Sequence, residues 1–278
     1  MKDYFGLQDK VCVVTGASSG MGKAAVEMLV DLGAKVYALD INECTVNGIE
    51  KFVSVNLAEK ASIDKAFAVL PQHIDHFFGV AGVSGVRTDY NTTFNINFTA
   101  NMYICETYLK QRSNENGSIT IVSSCAGIAW REYLAECQIF SKLRSWEEVQ
   151  AKLKELVKVG TPAPVAYMLS KRVVIAYANE LAVEMASKHV RVNSLLPGST
   201  DTGMKAEFVA MAGGLDNMIK DAGLAARLAT SEEMGMPIVF LASKMAGFIN
   251  GEELIVDYCD NALKKLGLKQ NLCTGNAL

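Results

Sequence analysis

A glycine-rich turn between a β-branched run and a helical pattern is the feature that most constrains the fold. Residues 10–14 favour a buried strand, and residues 23–32 carry apolar side chains at helical spacing. Between them lie Gly16, Gly20 and Gly22. Glycines let the backbone approach a pyrophosphate, and the start of a helix supplies unpaired N–H groups. This context predicts a dinucleotide site, although a plain turn could have the same composition.

Further strand-like runs recur along the chain and alternate with helix-like segments. They cover residues 35–40, 52–55, 76–81, 118–123, 190–195 and 253–256. This alternation predicts an α/β fold with a parallel sheet covered by helices on both faces. We therefore expect a single-domain, Rossmann-type, doubly wound sheet over residues 1–278, with its ligand at the carboxyl ends of the strands.

Composition argues against several classes of protein. Half of the 278 residues are hydrophobic and the net charge is −3, so nucleic acid and anionic membranes are not expected as partners. No apolar run approaches the roughly 20 residues of a membrane span. The seven cysteines include no Cys-x-x-Cys pair, which indicates reduced thiols in the cytoplasm. His73 and His76 are interpreted as ordinary histidines, and no metal site is expected.

Asp40 ends the second strand-like run and bears on the choice of cofactor. An acidic residue at this place can bind both ribose hydroxyls and repel a 2′-phosphate. No Lys or Arg stands in residues 17–19 or directly after Asp40 to neutralise such a phosphate. The expected cofactor is therefore NAD rather than NADP, unless Asp40 only caps a turn.

Tyr167 and Lys171 stand four residues apart, and residues at this spacing share one face of a helix. A Tyr hydroxyl has a pKa near 10, and a nearby cation favours the phenolate. A shift of roughly three units, worth about 4 kcal/mol, would make the phenolate a usable proton acceptor. We expect Lys171 to lower the pKa of Tyr167 in this way. Most Tyr-x-x-x-Lys pairs, taken alone, lie on solvated helix faces.

The spacing Thr-Gly-x-x-x-Gly-x-Gly at residues 15–22, combined with the Tyr-x-x-x-Lys pair, resembles the short-chain dehydrogenase/reductase family. The resemblance covers about residues 8–260. The catalytic residues that it implies are Asn97, Ser124, Tyr167 and Lys171. Ser123 is the alternative to Ser124 as the catalytic serine. Asn97 would join Lys171 in a proton relay, or else be a polar packing residue.

The same resemblance implies cofactor contacts at the carboxyl ends of several strands. They are Gly16, Ser18, Ser19, Gly20, Met21, Gly22, Asp40, Ile41, Asn56, Leu57, Ala81, Gly82, Tyr167, Lys171, Pro197, Gly198, Thr200 and Thr202. The chain departs from the family at two strand ends. Asn56 stands where Asp is usual, and Val80 stands where Asn more often precedes Ala-Gly. An amide can still form hydrogen bonds to adenine, whereas Val80 offers no polar contact.

An insertion separates Ser124 from the Tyr-x-x-x-Lys pair, and it covers about residues 130–164. Within it, Ser145 and Glu148 make a capping box, and apolar residues at helical spacing predict a helix over 146–157. An insertion at this place resembles the bacterial 3α-hydroxysteroid dehydrogenase/carbonyl reductase subgroup. The inserted helix should cover a surface that the family often uses for pairing. We therefore expect a homodimer or homotetramer that assembles through other faces.

That subgroup implies hydride transfer between NAD and a secondary hydroxyl or ketone of a steroid or bile acid. The residues expected to contact such a substrate are Trp130, Tyr133, Met204, Phe208 and Met211. The last three lie in a lid-like segment, 203–226, which could instead be a helix packed in its own core. The alternatives are an enzyme for a smaller alcohol, sugar or ketone, and a non-catalytic NAD-binding protein. The C-terminal tail, about 261–278, suggests no role.

Overall fold

Seven parallel strands form one sheet in this computed structural model, which describes residues 3–271 and 273–278. The strands are β1 (Val11–Thr15), β2 (Lys35–Asp40), β3 (Lys51–Ser54), β4 (Ile74–Gly79), β5 (Ser113–Val122), β6 (Arg191–Pro197) and β7 (Glu253–Val256). Their order across the sheet is β3-β2-β1-β4-β5-β6-β7, and every neighbouring pair is parallel. The predicted fold class and all seven predicted strands are confirmed.

Helices cover both faces of the sheet. They are α1 (Gly20–Asp31), α2 (Lys60–Ala68), α3 (residues 90–112), α4 (Leu134–Ser141), α5 (Trp146–Leu156), α6 (Ala163–Met185), α7 (Lys205–Met211), α8 (Leu215–Lys220), α9 (Ser231–Ala242) and α10 (Asp260–Lys265). The stretch α3 is continuous and contains two π-helical turns, Asn95–Thr99 and Cys105–Leu109. Within the described part of the chain, no helix combines the length and apolar character needed to cross a membrane.

The strand order fixes where a ligand can bind. Strands β2 and β3 lie on one side of β1, and β4 to β7 lie on the other. In open parallel sheets the ligand crevice lies at this reversal, beyond the carboxyl ends of the strands. Gly16 directly follows β1 and Ala81 lies two residues beyond β4, so the predicted dinucleotide turn lies at the crevice.

The insertion folds as two helices, and the single predicted helix is therefore an incomplete description. Its second helix, α5, begins with the predicted capping box, in which Ser145 and Glu148 satisfy each other's backbone N–H groups. Its first helix, α4, was not predicted. Leu134 and Ile139 are exposed on α4, so its apolar residues do not mark out one face in the sequence.

The insertion packs against α3 and α6, as the sequence predicts. Trp146 is buried, and its ring meets that of Tyr103 edge to face at 5.9 Å. Gln150 donates a hydrogen bond of 2.7 Å to Asn95, and Arg144 pairs with Glu184 at 2.8 Å. The surface shared by α3 and α6 is therefore covered from within the chain. Assembly of a homo-oligomer through other faces, like a cytoplasmic location, stays a prediction.

Candidate active site

The glycine-rich turn has the shape that a dinucleotide pyrophosphate requires. Gly16 has φ +71°, and a Cβ there would lie 2.7 Å from the backbone of Ala81. A Cβ at Gly22 would collide with the carbonyl oxygen of Gly16. The first turn of α1 starts at Gly20, and the Ser19 side chain makes no capping hydrogen bond to it. The N–H groups at this helix start are therefore free of a side-chain cap and can bind an anion.

A cleft of about 300 Å³ opens in front of this turn. Most of the predicted cofactor contacts line it: Gly16, Ser18, Ser19, Gly20, Met21, Gly22, Asp40, Ile41, Asn56, Leu57, Ala81, Gly82 and Thr202. The sequence did not predict six further residues that line the cleft, namely Asn42, Val55, Val80, Val83, Ile96 and Gly203. Met204, predicted as a substrate contact, also lines it. Most of these residues are next to a predicted contact in the sequence. Extending each predicted motif by one residue would therefore have included them. The turn and the cleft together fit a nicotinamide dinucleotide.

Asp40 is held in place at the rim of the cleft by two backbone N–H groups. Ser18 donates to its Oδ2 and Asn42 donates to its Oδ1, both at 3.0 Å. The carboxylate thus bridges the glycine-rich turn and the loop after β2. Its position suits recognition of an adenosine ribose, because the two hydroxyls of that ribose can share one carboxylate.

Four of the predicted cofactor contacts are mainly engaged in packing or hydrogen bonds within the protein. A Cβ at Gly198 would lie 3.0 Å from Asp257, so this glycine allows close packing against the residue that follows β7. The Thr200 hydroxyl donates to the Gly198 carbonyl at 2.9 Å, and Pro197 ends β6. None of these three lines the cleft. Asn56 does line it, but its amide is engaged by Ala58 and Glu59 within its own turn.

The two adjacent serines have different surroundings, which favour Ser124 as the reactive one. The buried Ser123 hydroxyl donates to the Lys171 carbonyl at 2.6 Å and so ties β5 to α6. The Ser124 hydroxyl lies close enough to the phenol of Tyr167 to lower its pKa. It also accepts from the backbone N–H of Ala126 at 3.1 Å, which fixes its direction.

The pKa of Tyr167 is raised to about 12, whereas the sequence predicts a lowered value. Burial is the main cause, the nearby Ser124 hydroxyl opposes it, and the nearby thiols of Cys273 and Cys125 add to it. The Lys171 ammonium lies 5.7 Å from the centre of the Tyr167 ring. It donates to the Val122 carbonyl at 3.0 Å instead of to the phenol. The expected effect of Lys171 on the pKa of Tyr167 is therefore absent.

Lys171 itself has a lowered pKa, about 8, because burial disfavours its charged form. Its side chain reaches the edge of the cleft at Gly82, where a Cβ would lie 3.4 Å from the Lys171 Nζ and 3.3 Å from the Asn97 Oδ1. A lysine with this pKa gains and loses a proton near neutral pH. It is thus suited to pass protons beside Tyr167.

Asn97 lies in the first π-helical turn of α3 and is almost fully buried. Its amide accepts from the Val83 N–H at 2.9 Å and donates to the Val83 carbonyl and to the Ser170 hydroxyl. The side chain thus connects the loop after β4 to the helix that carries Tyr167. π-helical turns are often found at functional sites. The predicted relay role stays a prediction, and the packing role is visible directly.

The lid segment reaches both the cleft and the catalytic tyrosine. Met204 lines the cleft, and the Phe208 ring meets the Tyr167 ring edge to face at 5.6 Å. Met211 is 52% exposed at the end of α7. Glu207 holds α7 down, since its carboxylate accepts from the buried Ser84 hydroxyl and pairs with Arg87 at 2.9 Å.

Trp130 does not lie in a substrate pocket, and its predicted role is corrected. Its buried ring donates from Nε1 to Glu253 at 2.9 Å. Glu253 also accepts from Asn179, which lies about 18 Å beyond Tyr167 along α6 at 1.5 Å per residue. The indole therefore points towards the far end of the catalytic helix.

Tyr133 is also turned away from an open pocket. The Arg172 guanidinium covers its ring at 3.9 Å, and its hydroxyl accepts from the Gly275 N–H at 2.5 Å. Both aromatic side chains follow the turn Cys125–Gly127, after which the chain runs back along α6. Closeness to Ser124 in the sequence therefore does not bring them to the reacting groups.

Comparisons with known proteins agree with this geometry. Residues 10–135 match the family model described as short chain dehydrogenase, and residues 155–258 match the model described as enoyl-(acyl carrier protein) reductase. The chain is 32% identical to a coniferyl-alcohol dehydrogenase from Pseudomonas sp., over 90% of this chain and 96% of that protein. It is 26% identical to an NAD-dependent glycerol dehydrogenase from Listeria innocua, over 91% of this chain and 94% of the other.

A similar fold is found among solved structures. The crystal structure of a 3-alpha-hydroxysteroid dehydrogenase from Pseudomonas sp. B-0831, complexed with NADH, has a TM-score of 0.76. It is 20% identical, and the match covers 94% of this chain and 100% of that one. The glycine-rich turn, the Ser124–Tyr167–Lys171 group and the 32% identical relative thus lead to one conclusion. The chain belongs to the short-chain dehydrogenase/reductase family and is a nicotinamide-dependent oxidoreductase that acts on hydroxyl groups.

Proposed function

We propose that the chain uses NAD to oxidise a secondary hydroxyl on an apolar, ring-containing substrate, with hydroxysteroids or bile acids as the first class to test. The observation that carries this proposal is the position of Tyr167. Its phenol is influenced by the nearby Ser124 hydroxyl, while its ring packs against Phe208 of the lid. A reacting oxygen at the phenol would therefore have an apolar wall next to it.

The reaction follows from the polar groups around that oxygen. The Ser124 hydroxyl, fixed by Ala126, orients the substrate oxygen. The Tyr167 Oη takes the hydroxyl proton as it gives up its own phenolic proton, and the neutral form of the Lys171 Nζ, whose pKa is about 8, can receive that phenolic proton near neutral pH. The turn at Gly16, Gly20 and Gly22 would bind the pyrophosphate and Asp40 the ribose. When bound, the nicotinamide supplies the hydride chemistry.

A second candidate is an aryl-substituted alcohol, and one structural observation favours it. Trp130 and Tyr133 are directed away from the site, which leaves Met204 and Phe208 as the predicted apolar contacts near Tyr167. An apolar wall formed by these two side chains can contact a substrate with a single ring as well as a steroid with four rings. The 32% identical relative is named for coniferyl alcohol, an aryl-substituted alcohol.

A substrate panel distinguishes these candidates. We expect kcat/KM for hydroxysteroids or bile acids to exceed that for short aliphatic secondary alcohols at least about 100-fold, since apolar burial contributes about 25 cal/mol per Å². The measurement is the initial rate of NADH formation across hydroxysteroids, aryl alcohols and 2-alkanols. Higher values for aryl alcohols would support the second candidate. Equal or better use of short aliphatic alcohols would contradict both.

The choice of NAD rests on Asp40, and a substitution tests it. We expect the unmodified protein to prefer NAD over NADP, because the Asp40 carboxylate repels a 2′-phosphate. Asp40→Ala should narrow that preference at least about tenfold, mainly through KM for NADP, since one unfavourable charge contact of about 1.4 kcal/mol corresponds to this factor. Steady-state kinetics with both cofactors measure the change. A preference for NADP in the unmodified protein would show that Asp40 does not select the cofactor.

A further inference from the structure

The two sides of the cofactor cleft belong to opposite faces of the sheet. Side chains alternate between the faces along each strand, and they form one buried core with α3 and α6 and another with α1 and α9. The lining residues 80–83 connect to the first core through Asn97 of α3, which binds the main chain of this loop. The lining residues 202–204 adjoin the second core, because a Cβ at Gly20 of α1 would lie 3.4 Å from the Thr202 side chain. A link between these two stretches would therefore tie the two sides of the cleft together.

Ser84 directly follows the first stretch and supplies one end of such a link. Its side chain is fully buried, and its hydroxyl accepts from the N–H of Val86 at 3.1 Å and donates to a carboxylate oxygen of Glu207 in α7. The loop is fixed from behind as well, since a Cβ at Gly85 would lie 2.6 Å from the carbonyl oxygen of Ala163 at the start of α6. A buried hydroxyl that loses its partner is costly, so this hydrogen bond holds Ser84 in one direction.

Glu207 supplies the other end of the link, about one helical turn beyond the lining residue Met204. Its side chain is only 12% exposed, and its second carboxylate oxygen pairs with the exposed Arg87 at 2.9 Å. The ring of the next residue in α7 packs against Tyr167, so the helix extends from the cleft to the catalytic tyrosine. The hydrogen bond between Ser84 and Glu207, which we call the bridge, thus joins both sides of the cleft beside the reacting groups.

We propose that the bridge is a gate of the cofactor cleft, which NAD and NADH pass only when the hydrogen bond between Ser84 and Glu207 is broken. Hydride transfer requires the nicotinamide ring beside the catalytic groups, and the cleft reaches them at Gly82, where the Lys171 ammonium lies 3.4 Å from the Cβ position. Gly82 lies two residues before one end of the bridge, so this end of the cleft opens when α7 or the loop 83–87 moves. The proposal concerns the cofactor and not the alcohol, and it rests on the proposed function only for the choice of NADH as the probe.

A gate has a kinetic signature that a binding contact lacks. The bridge needs only groups of the protein, so it forms in the free and the bound states alike and opposes entry as well as exit. Weakening it should raise the association and dissociation rates of NADH together and leave the dissociation constant within about threefold, because both states lose the same bond. Loss of a binding contact instead raises the dissociation rate and the dissociation constant, with little change in association.

Ser84→Ala and Glu207→Ala each remove the bridge from a different side, and Glu207→Gln weakens it because a neutral acceptor replaces a charged one. Lys205→Met is the matched control, since Lys205 lies on the same helix and forms an exposed ion pair with Asp201 at 2.7 Å. Exposed pairs of this kind contribute little. Ser84→Ala removes a single oxygen atom, so the fold should tolerate it. The double variant Ser84→Ala/Glu207→Ala tests whether both residues act through one bond.

Stopped-flow fluorescence measures the gate without any alcohol. Mixing the protein with NADH gives the association rate, and displacement of bound NADH by excess NAD gives the dissociation rate. We expect both rates to rise at least about tenfold in Ser84→Ala and Glu207→Ala, since a hydrogen bond to a charged group contributes about 10- to 100-fold to an equilibrium. Glu207→Gln should give a smaller rise. The double variant should equal the stronger single variant within about twofold, and Lys205→Met should stay within about twofold of the unmodified protein.

Three results would overturn the gate. They are an unchanged dissociation rate in both single variants, a dissociation constant that rises in parallel with the dissociation rate at constant association, and effects of the two substitutions that add in the double variant. A protein that binds NADPH more tightly than NADH would contradict the choice of NAD, and the same rates measured with NADPH would then test the gate. Failure of the gate and failure of the proposed cofactor are therefore distinguished.

Discussion

Replacing Tyr167 with Phe should lower kcat for alcohol oxidation at least about 1,000-fold, because general-base catalysis contributes about 10² to 10⁴. The ring remains and can still meet Phe208, but the group that takes the proton is lost. Affinity for NADH should persist, since Tyr167 does not line the cofactor cleft. Steady-state rates and fluorescence titration of NADH measure the two effects.

Tyr177→Phe is the matched control for this substitution. Tyr177 is buried on the same helix, and its hydroxyl donates to Glu106, far from the cleft. This variant should lose about 1 kcal/mol of stability, the typical contribution of one hydrogen bond, and keep its turnover. If Tyr167→Phe behaved like Tyr177→Phe, Tyr167 could not be the base.

Replacing Lys171 with Met should lower kcat at least about 100-fold, the lower end of a proton-transfer contribution, and yet make the fold more stable at neutral pH. The pKa of Lys171 falls from 10.5 to about 8 on burial. Between these values the unfolded chain binds more protons than the folded one, so stability rises with pH over this window. Below about pH 8 the buried charge is a net cost, which Met removes. After subtraction of the lost hydrogen bond to Val122, the free energy of unfolding should rise by about 2 kcal/mol.

Urea unfolding at about pH 7 and pH 10 measures this gain and its loss at the higher pH. Lys188→Met is the matched control, because the Lys188 ammonium also donates to a backbone carbonyl but is exposed, so its removal should not stabilise the fold. A Lys171→Met protein that is less stable than the unmodified one at both pH values would contradict a buried, charge-disfavouring site. It would then be the carbonyl bond, and not desolvation, that dominates at Lys171.

The cofactor side of the site was predictable from the sequence because its signals are local. The glycine-rich turn, the acidic end of β2 and the Ala-Gly after β4 each lie within a few residues of a strand that the apolar pattern already predicts. Once the strands are parallel, their carboxyl ends meet at one edge. The capping box that starts α5 was predictable for the same reason.

The substrate side was not predictable, because it depends on directions and distant contacts. A Cβ at Gly127 would lie 2.6 Å from the Lys171 carbonyl, so the chain after Ser124 runs tightly along α6 and carries Trp130 away from Tyr167. The pKa of Tyr167 depends on how deeply the phenol is buried and where the Lys171 ammonium points, neither of which a spacing of four residues specifies. The contact that turns Tyr133 away joins its hydroxyl to Gly275, 142 positions further along the chain.

The contacts to the two ligands are divided along the chain. Apart from residues 202–204, every residue that lines the cofactor cleft precedes residue 97, whereas Phe208 of α7, whose ring packs against Tyr167, follows β5. Substitutions after β5 can therefore change which alcohol is oxidised, while the cofactor stays the same. For protein engineering, a library confined to residues 205–220 would explore new alcohols with little risk of losing the dinucleotide.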